Sequence, residues 1–440
     1  MYMKQAVILA GGKGSRLLEV SAGLPKSMVR VAGRPVLAYA LEKLAEAGIT
    51  DVLMLVGFGA EVITDYFGDG SAFGVAITYH TEEEPGGSAG LLVRITYALD
   101  EEFLLVYGDT VFNIDISKFH LFHKEKNSDL TLFLHPNSHP FDSDLVEMGE
   151  DSQVVAFHKK PHPSENLFPN MVSAALFVVK KSMLAPWASH ALPLDFSHEV
   201  VPALIREGAR VFGYVSREYI KDMGTPERLL MVEEDIKSGK VARGSLSTPR
   251  PAIFLDRDGT LVREVGYIQH SEDLFLEEGA AEAVHMINES EYLAVVVTNQ
   301  PVVARGEVST EGLKKIHNKM EQDLGLHGAY LDAIYYCPHH PDKGFAGERP
   351  EYKIQCTCRK PGIDLVNRAA KDMNIDLQNS WFVGDTTTDM MTAKNAGLKS
   401  ILVQTGNGGR DGKFEAEPDF EAPNLLAAVR FILFDKQAPL

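Results

Sequence analysis

Ala252-Ile253-Phe254-Leu255-Asp256-Arg257-Asp258-Gly259-Thr260-Leu261 is the stretch on which the fold of this chain turns. Four apolar residues predict a short buried strand, and the carboxylates come where that strand would end. Gly259 then lets the chain turn. In an open α/β sheet, reactive groups collect in the crevice beyond the carboxyl ends of the strands. With two aspartates so close at a strand's end, one can attack while the other carries protons. A strand followed by an acidic turn would explain this stretch alone, but its partners downstream argue for more. A second strand, Tyr292–Val297, ends in Thr298-Asn299-Gln300, and a third, Trp381-Phe382-Val383, ends in Gly384-Asp385-Thr386-Thr387-Thr388-Asp389. Between them lies Cys358-Arg359-Lys360-Pro361-Gly362.

Upstream, a separate β-α-β alternation predicts another α/β domain. Ala6–Ala10 reads as a strand and leads into Gly11-Gly12-Lys13-Gly14-Ser15-Arg16-Leu17. Glycines permit close backbone approach, and amides with Lys13 and Arg16 can wrap an anionic phosphate chain. The loop is neither a Walker loop nor a dinucleotide fingerprint. An amphipathic helix over Leu41–Ala47, capped by Gly48, is followed by strands at Asp51–Gly57, Ala76–Tyr79 and Phe103–Tyr107. The last ends in Gly108-Asp109, again a carboxylate at a strand's carboxyl end. Gly86-Gly87-Ser88-Ala89-Gly90 matches the hydrolase pattern G-x-S-x-G, but it follows Glu82-Glu83-Glu84-Pro85 rather than a buried strand, so that reading fails.

At 440 residues the chain is long enough for two or three domains. The polar stretch 237–250, with Gly, Ser and Pro and no apolar periodicity, reads as a linker between domains at 1–236 and 251–440. A formal charge of −18 without a basic cluster argues against nucleic acid and anionic membrane. No apolar run approaches the roughly 20 residues that span a bilayer. The N-terminus runs straight into a strand-like segment, so a cytoplasmic protein is expected. The three cysteines, Cys337, Cys356 and Cys358, lie within one short stretch, as metal ligands do and a disulfide framework does not.

The upstream ensemble resembles the sugar-1-phosphate nucleotidyltransferase family over roughly residues 4–235. Its matching pieces are the LAGGKGSRL loop, Pro25-Lys26-Ser27-Met28, Gly87-Ser88-Ala89-Gly90, Gly108-Asp109 and Lys221-Asp222-Met223-Gly224-Thr225-Pro226. The resemblance implies a Rossmann-like, GT-A-like domain in which Gly11, Gly12, Gly14, Ser15 and Arg16 hold a nucleoside triphosphate. Lys26 would sit near the phosphates, Gly87 and Ser88 would close on the nucleobase, and Asp109 and Asp222 would bind Mg²⁺. In-line attack on an α-phosphate gathers negative charge that cations must neutralise. Lys160 matches the lysine that meets the sugar phosphate. Lys159 replaces the family's sugar-contacting glutamate, and Ser173-Ala174-Ala175 stands where Asn-x-Gly is usual.

The downstream set, over about residues 251–435, resembles the haloacid-dehalogenase (HAD) phosphatase superfamily, which implies a doubly wound Rossmannoid domain. By position, Asp256 is the nucleophile and Asp258 the general acid/base, while Thr298 and Lys360 neutralise phosphoryl oxygens. Mg²⁺ is expected on Asp256, on the Asp258 carbonyl and on Asp385, with Asp389 in support. Cys337-Pro338-His339 followed by Cys356-Thr357-Cys358 supplies four ligands in two close pairs, which suits a closed structural Zn²⁺ site. His340 competes with His339, and the spacing resemblance favours His339. The C-x-H…C-x-C insert resembles the D,D-heptose 1,7-bisphosphate and histidinol-phosphate phosphatases. Gly266-Tyr267 and Thr298-Asn299-Gln300…Ala304-Arg305-Gly306 favour the heptose branch, with Asn299, Arg305 and Arg359 as substrate contacts.

Together the resemblances imply a bifunctional enzyme with small-molecule substrates, heptose phosphates and an NTP. It would hydrolyse D-glycero-D-manno-heptose 1,7-bisphosphate at position 7, then transfer NMP, GMP favoured, to heptose 1-phosphate for a surface polysaccharide. The rivals are a phosphatase for histidinol phosphate or another sugar fused to a different nucleotidyltransferase, and a sensor of nucleotide or sugar phosphate with an inactive transferase domain. A homo-oligomer is left open.

Overall fold

In a computed structural model of the chain, the described residues are 3–12, 14, 23–82, 84–163 and 165–435. Ser15 and Arg16, expected at the nucleotide, lie outside them. Contacts divide the chain into two compact units. The first comprises Met1–His135, Asp144–Lys159 and Met171–Ser247, and the second comprises Pro136–Ser143, Lys160–Asn170 and Thr248–Leu440. Two departures from the boundaries drawn on sequence follow. Residues 240–243 of the expected linker form a short helix, and two excursions from the N-terminal half are counted with the second unit.

The first unit is built on strands β1 (Gln5–Leu9), β2 (Asp51–Val56), β3 (Ala76–Thr81) and β4 (Glu102–Tyr107), parallel in the order β4-β1-β2-β3. Side chains alternate between two faces. Ala6, Ile8, Val52 and Met54 enter one core, and Val7, Leu53 and Leu55 the other. Burial on both faces is why these strands read as unbroken apolar runs. Beyond β4 the sheet turns antiparallel through β9 (Val172–Lys180), which also pairs β6 (Leu130–His135) and β7 (Leu145–Met148); β8 (Val154–His158) and β10 (Val211–Val215) complete it. A small ladder joins β5 (Thr110–Asn113) to β11 (Tyr219–Asp222) with Asp222 opposite Thr110. Helix α1 (Val36–Glu46) covers one face, and α2 (Pro226–Lys237) starts where Thr225 accepts a hydrogen bond from Arg228 N–H.

The second unit holds six parallel strands: β12 (Ala252–Leu255), β13 (Leu293–Asn299), β14 (Ala333–Cys337), β15 (Trp381–Gly384), β16 (Lys399–Val403) and β17 (Phe420–Ala422). Their order, β14-β13-β12-β15-β16-β17, is the doubly wound 3-2-1-4-5-6 pattern, whose topological switch falls between β12 and β15. Ile253 and Leu255 face α3 (Ala280–Asn288), α4 (Thr310–Gly325) and α7 (Leu425–Arg430). Ala252 and Phe254 face α5 (Asp364–Met373). The order therefore points Asp256 and Asp385 into one crevice. Among the described residues, no helix is long and apolar enough to cross a membrane.

Candidate active sites

At the switch point of the second unit, ligand oxygens of Asp256, Asp385 and Asp389 lie within 4.8 Å of one another. The Lys360 ammonium bridges two of them, 2.8 Å from Asp256 and 2.6 Å from Asp389. Lys360 is placed by its main chain: Asn299 Oδ1 accepts from its N–H at 2.9 Å and Asn299 Nδ2 donates to its carbonyl at 3.2 Å. Asp389 spends its other oxygen on a capping box at the start of α6 (Thr387–Ala396), accepting from Thr386 N–H and Oγ1. Asn407 donates twice to Asp385 Oδ2, at 2.7 and 3.0 Å, while Asp385 Oδ1 is buried without a partner. Gly259 is required here: its φ is +77° and a Cβ would stand 2.3 Å from Asp385.

Burial and the neighbouring Asp389 push the Asp256 carboxyl well above its ordinary range, against the pull of Lys360. Asp385 is pushed up to about 6 by burial and by Asp389, against the Asn407 bonds. Burial lowers Lys360, but Asp256 and Asp389 outweigh it and hold the ammonium charged. Carboxylates crowded in this way demand a cation. The orphaned Asp385 oxygen and the oxygen-only donor set fit a hard divalent ion such as Mg²⁺.

Asp258 is oriented from behind. Buried Arg257 donates to both its oxygens, at 2.7 and 2.9 Å, and Gln300 Nε2 donates at 2.8 Å to Asp258 and at 2.9 Å to Thr298 Oγ1. His317 on α4 faces the Arg257 guanidinium at 3.3 Å; burial, then that cation, keeps the imidazole neutral.

Cys337, His339, Cys356 and Cys358 converge, with His339 Nδ1 3.2 Å from Cys358 and sulfurs 3.2–3.6 Å apart. The thiols are not joined as disulfides. Ligand atoms spaced this way around a common point fit tetrahedral zinc, whose bonds run about 2.0–2.3 Å. His340 instead accepts from Asp342 N–H at 3.2 Å, and His339 is the histidine that meets the three cysteines.

In the first unit, Gly11, Gly12, Lys26, Gly87, Ser88 and Asp109 line one cleft of about 800 Å³ at the ends of β1 and β4. Gly14 lies against the Lys26 side chain. Lys26 is ion-paired with Asp109. The β5–β11 ladder carries Asp222 to the same place, where Met223 N–H donates to the Asp109 carbonyl at 3.0 Å. Burial raises Asp222, but Arg228, 2.5 Å away, and Lys26 outweigh it and hold the carboxyl below its usual range. Gly87 has φ +81°, and a Cβ there would meet the Leu194 carbonyl at 2.4 Å. Ser88 Oγ donates to Asp195 and accepts from Phe196 N–H, so it ties its loop to the start of the 196–200 turn.

Four expected substrate contacts are otherwise engaged. Asn299 clamps Lys360, as above. Arg359 donates to the His339 carbonyl at 3.3 Å. The Arg305 guanidinium is stacked between Tyr267 and Phe345, 4.2 and 4.6 Å from their centroids. Lys160 is not among the cleft-lining residues and donates to the Asp142 carbonyl at 3.1 Å. Sequence reasoning missed Asn407, although Thr405-Gly406-Asn407-Gly408-Gly409 beyond β16 is a glycine-rich loop at a strand's carboxyl end. It also missed Gln300, Arg257, His317 and Arg228 as supporting groups.

The nucleotidyl transferase family model matches residues 5–239, and a HAD-hydrolase-like model matches residues 357–428. A D-glycero-D-manno-heptose-1,7-bisphosphate 7-phosphatase of Thermosynechococcus vestitus is 41% identical over 191 residues, 42% of this chain and 96% of that protein. A D-glycero-beta-D-manno-heptose-1,7-bisphosphate 7-phosphatase of Haemophilus ducreyi is 40% identical over 36% of this chain and 85% of its own length. A mannose-1-phosphate guanylyltransferase of Mycobacterium tuberculosis is 32% identical over 60% of this chain and 71% of that protein.

Proposed function

Because the chain belongs to the nucleotidyl transferase family and carries a HAD-type phosphatase of the heptose-bisphosphate group behind it, we propose that its two halves catalyse consecutive steps. The phosphatase half removes the 7-phosphate of D-glycero-D-manno-heptose 1,7-bisphosphate. The transferase half moves NMP from an NTP to the resulting heptose 1-phosphate and releases pyrophosphate. The guanylyltransferase relative supports GTP as the donor. A cytoplasmic location fits, since NTPs are available there.

In the phosphatase half, an Asp256 oxygen attacks phosphorus and the bond to the sugar O7 breaks, leaving an aspartyl phosphate. Asp258 gives its proton to the departing alkoxide. It then takes a proton from the water that hydrolyses the aspartyl phosphate. Lys360 neutralises the phosphoryl oxygens and the Thr298 hydroxyl donates to them, while Arg257 with Gln300 keeps Asp258 aimed. Asp256, the Asp258 carbonyl and Asp385 would hold Mg²⁺, which when bound screens the repulsion between carboxylate and phosphate dianion. In the transferase half, the 1-phosphate oxygen attacks the α-phosphorus in line with departing pyrophosphate, so no protein nucleophile is needed. Lys26 and the glycine loop hold the triphosphate, and Asp109 and Asp222 would carry the cation.

The observation that carries this reading is the convergence of Asp256, Asp385, Asp389 and Lys360 where β12 and β15 part. Its test is incubation of the purified protein with each anomer of the bisphosphate and each NTP, with products identified by mass. We expect inorganic phosphate, pyrophosphate and a nucleotide-linked heptose. Phosphate release from histidinol phosphate at a greater rate would favour the other phosphatase branch. Absence of pyrophosphate with all four NTPs would favour the sensor.

A further inference from the structure

The two carboxylates of the transferase cleft are each already paired with a cation. Lys26 is on Asp109, and Arg228 is on Asp222 at 2.5 Å. Arg228 sits in the first turn of α2, where the helix dipole disfavours a positive charge, so its placement there answers to Asp222. The other Asp222 oxygen accepts from Gly224 N–H at 2.9 Å. The phosphatase crevice is different: among the described residues, the four carboxylates of Asp256, Asp258, Asp385 and Asp389 share ion pairs with two cations, Lys360 and Arg257.

We propose that Arg228 is a positioning residue that neutralises and orients Asp222, so that the transferase site takes its divalent ion with the nucleotide whereas the phosphatase site holds one on its own. The proposal rests on the reading of Asp109 and Asp222 as metal ligands. Two carboxylates balanced by two cations exert little net pull on a free divalent ion. An arriving triphosphate supplies the missing negative charge. It gives Lys26 a second anion to bind, and this frees Asp109 for the ion that the nucleotide carries. Arg228 keeps Asp222 aimed throughout.

The test counts Mn²⁺ bound to the full-length, zinc-loaded protein without nucleotide, by calorimetry and by the paramagnetic signal of free Mn²⁺. The wild type should bind one ion, lost in Asp385→Asn. Arg228→Gln should bind a second, with affinity for the transferase carboxylates raised at least tenfold, while Arg228→Lys should still bind one. A wild-type thermal unfolding profile for both units of Arg228→Gln, together with retained nucleotide binding, reports that the transferase unit is folded. A wild-type count of two without nucleotide overturns the proposal, and so does a count of one for folded Arg228→Gln. A second ion in Arg228→Lys overturns the charge explanation. Adding Asp222→Asn to Arg228→Gln should remove the second ion. If that ion persists, the assignment of Asp222 as a ligand is what has failed.

Discussion

The crevice between β12 and β15 and the cleft between β1 and β4 solve one electrostatic problem in opposite ways. Both lie where strand order reverses, and both place aspartates at strand ends. In the first, buried carboxylates outnumber their cations, and Asp256 and Asp385 are driven upward by burial and by the neighbouring Asp389. In the second, each aspartate has a cation, and Asp222 is driven down. A site whose nucleophile is a side chain must gather the charge of that side chain in advance. A site where substrate attacks substrate can wait for its reactants to bring it.

The contrast breaks first at Asp256. Asp256→Asn should lower phosphate release by about 10⁴-fold or more, because the attacking atom is gone. Pyrophosphate release from heptose 1-phosphate and NTP should be unchanged. Equal loss of both activities would show that the halves do not work separately. Lys26→Ala should cost the transferase about 10²–10³-fold, the loss typical of one charge-stabilising donor, with phosphatase rates intact.

Stability should respond to pH in the second unit. Glu321 on α4 is buried, with Asn170 N–H donating to it at 3.3 Å, and burial pushes its carboxyl up to about 7. Folding therefore binds a proton between the ordinary carboxylate range and about pH 7. The stabilisation is complete below that window and is lost as pH rises through it, by up to about 3 kcal/mol. Glu321→Gln should flatten the pH dependence of chemical denaturation and leave the variant more stable than wild type at pH 8. An unchanged slope would remove Glu321 as its source. The smallest effect expected is from Cys356→Ser. Metal analysis should find zinc lost, and kcat/KM of the phosphatase should fall about tenfold through misplacement of Arg359 and Lys360. Retained zinc would discard the four-ligand assignment.

Much of this was legible in the sequence, for a local reason. A strand that ends in a carboxylate and a glycine is written in consecutive residues, so Asp256, Asp109 and Asp385 stood out as chemistry. Two ligand pairs of fixed spacing made the metal cluster legible too. Partners set by convergence were not legible. Asn407 reaches Asp385 across 22 residues, Gln300 reaches Asp258 across 42, and His317 reaches Arg257 across 60. No periodicity encodes such meetings, because they depend on which strand lies beside which. Arg228 was hidden differently, as a charged residue in the first turn of an ordinary amphipathic helix. The excursions 136–143 and 160–170 carry no shift in composition to show that they are counted with the second unit. Asn299 is implied as a substrate contact by the resemblance of its motif, and its hydrogen bonds to the Lys360 backbone depend on a meeting across the sheet that the sequence does not show.

Asp389 ties the start of a helix to the placement of the Lys360 ammonium. One oxygen closes the first turn of α6 and the other holds the Lys360 ammonium. Fraying of that turn, by heat or by a substitution at Thr386, would therefore loosen the lysine before the rest of the sheet gives way. Warming should silence phosphate release while most of the molecule is still intact.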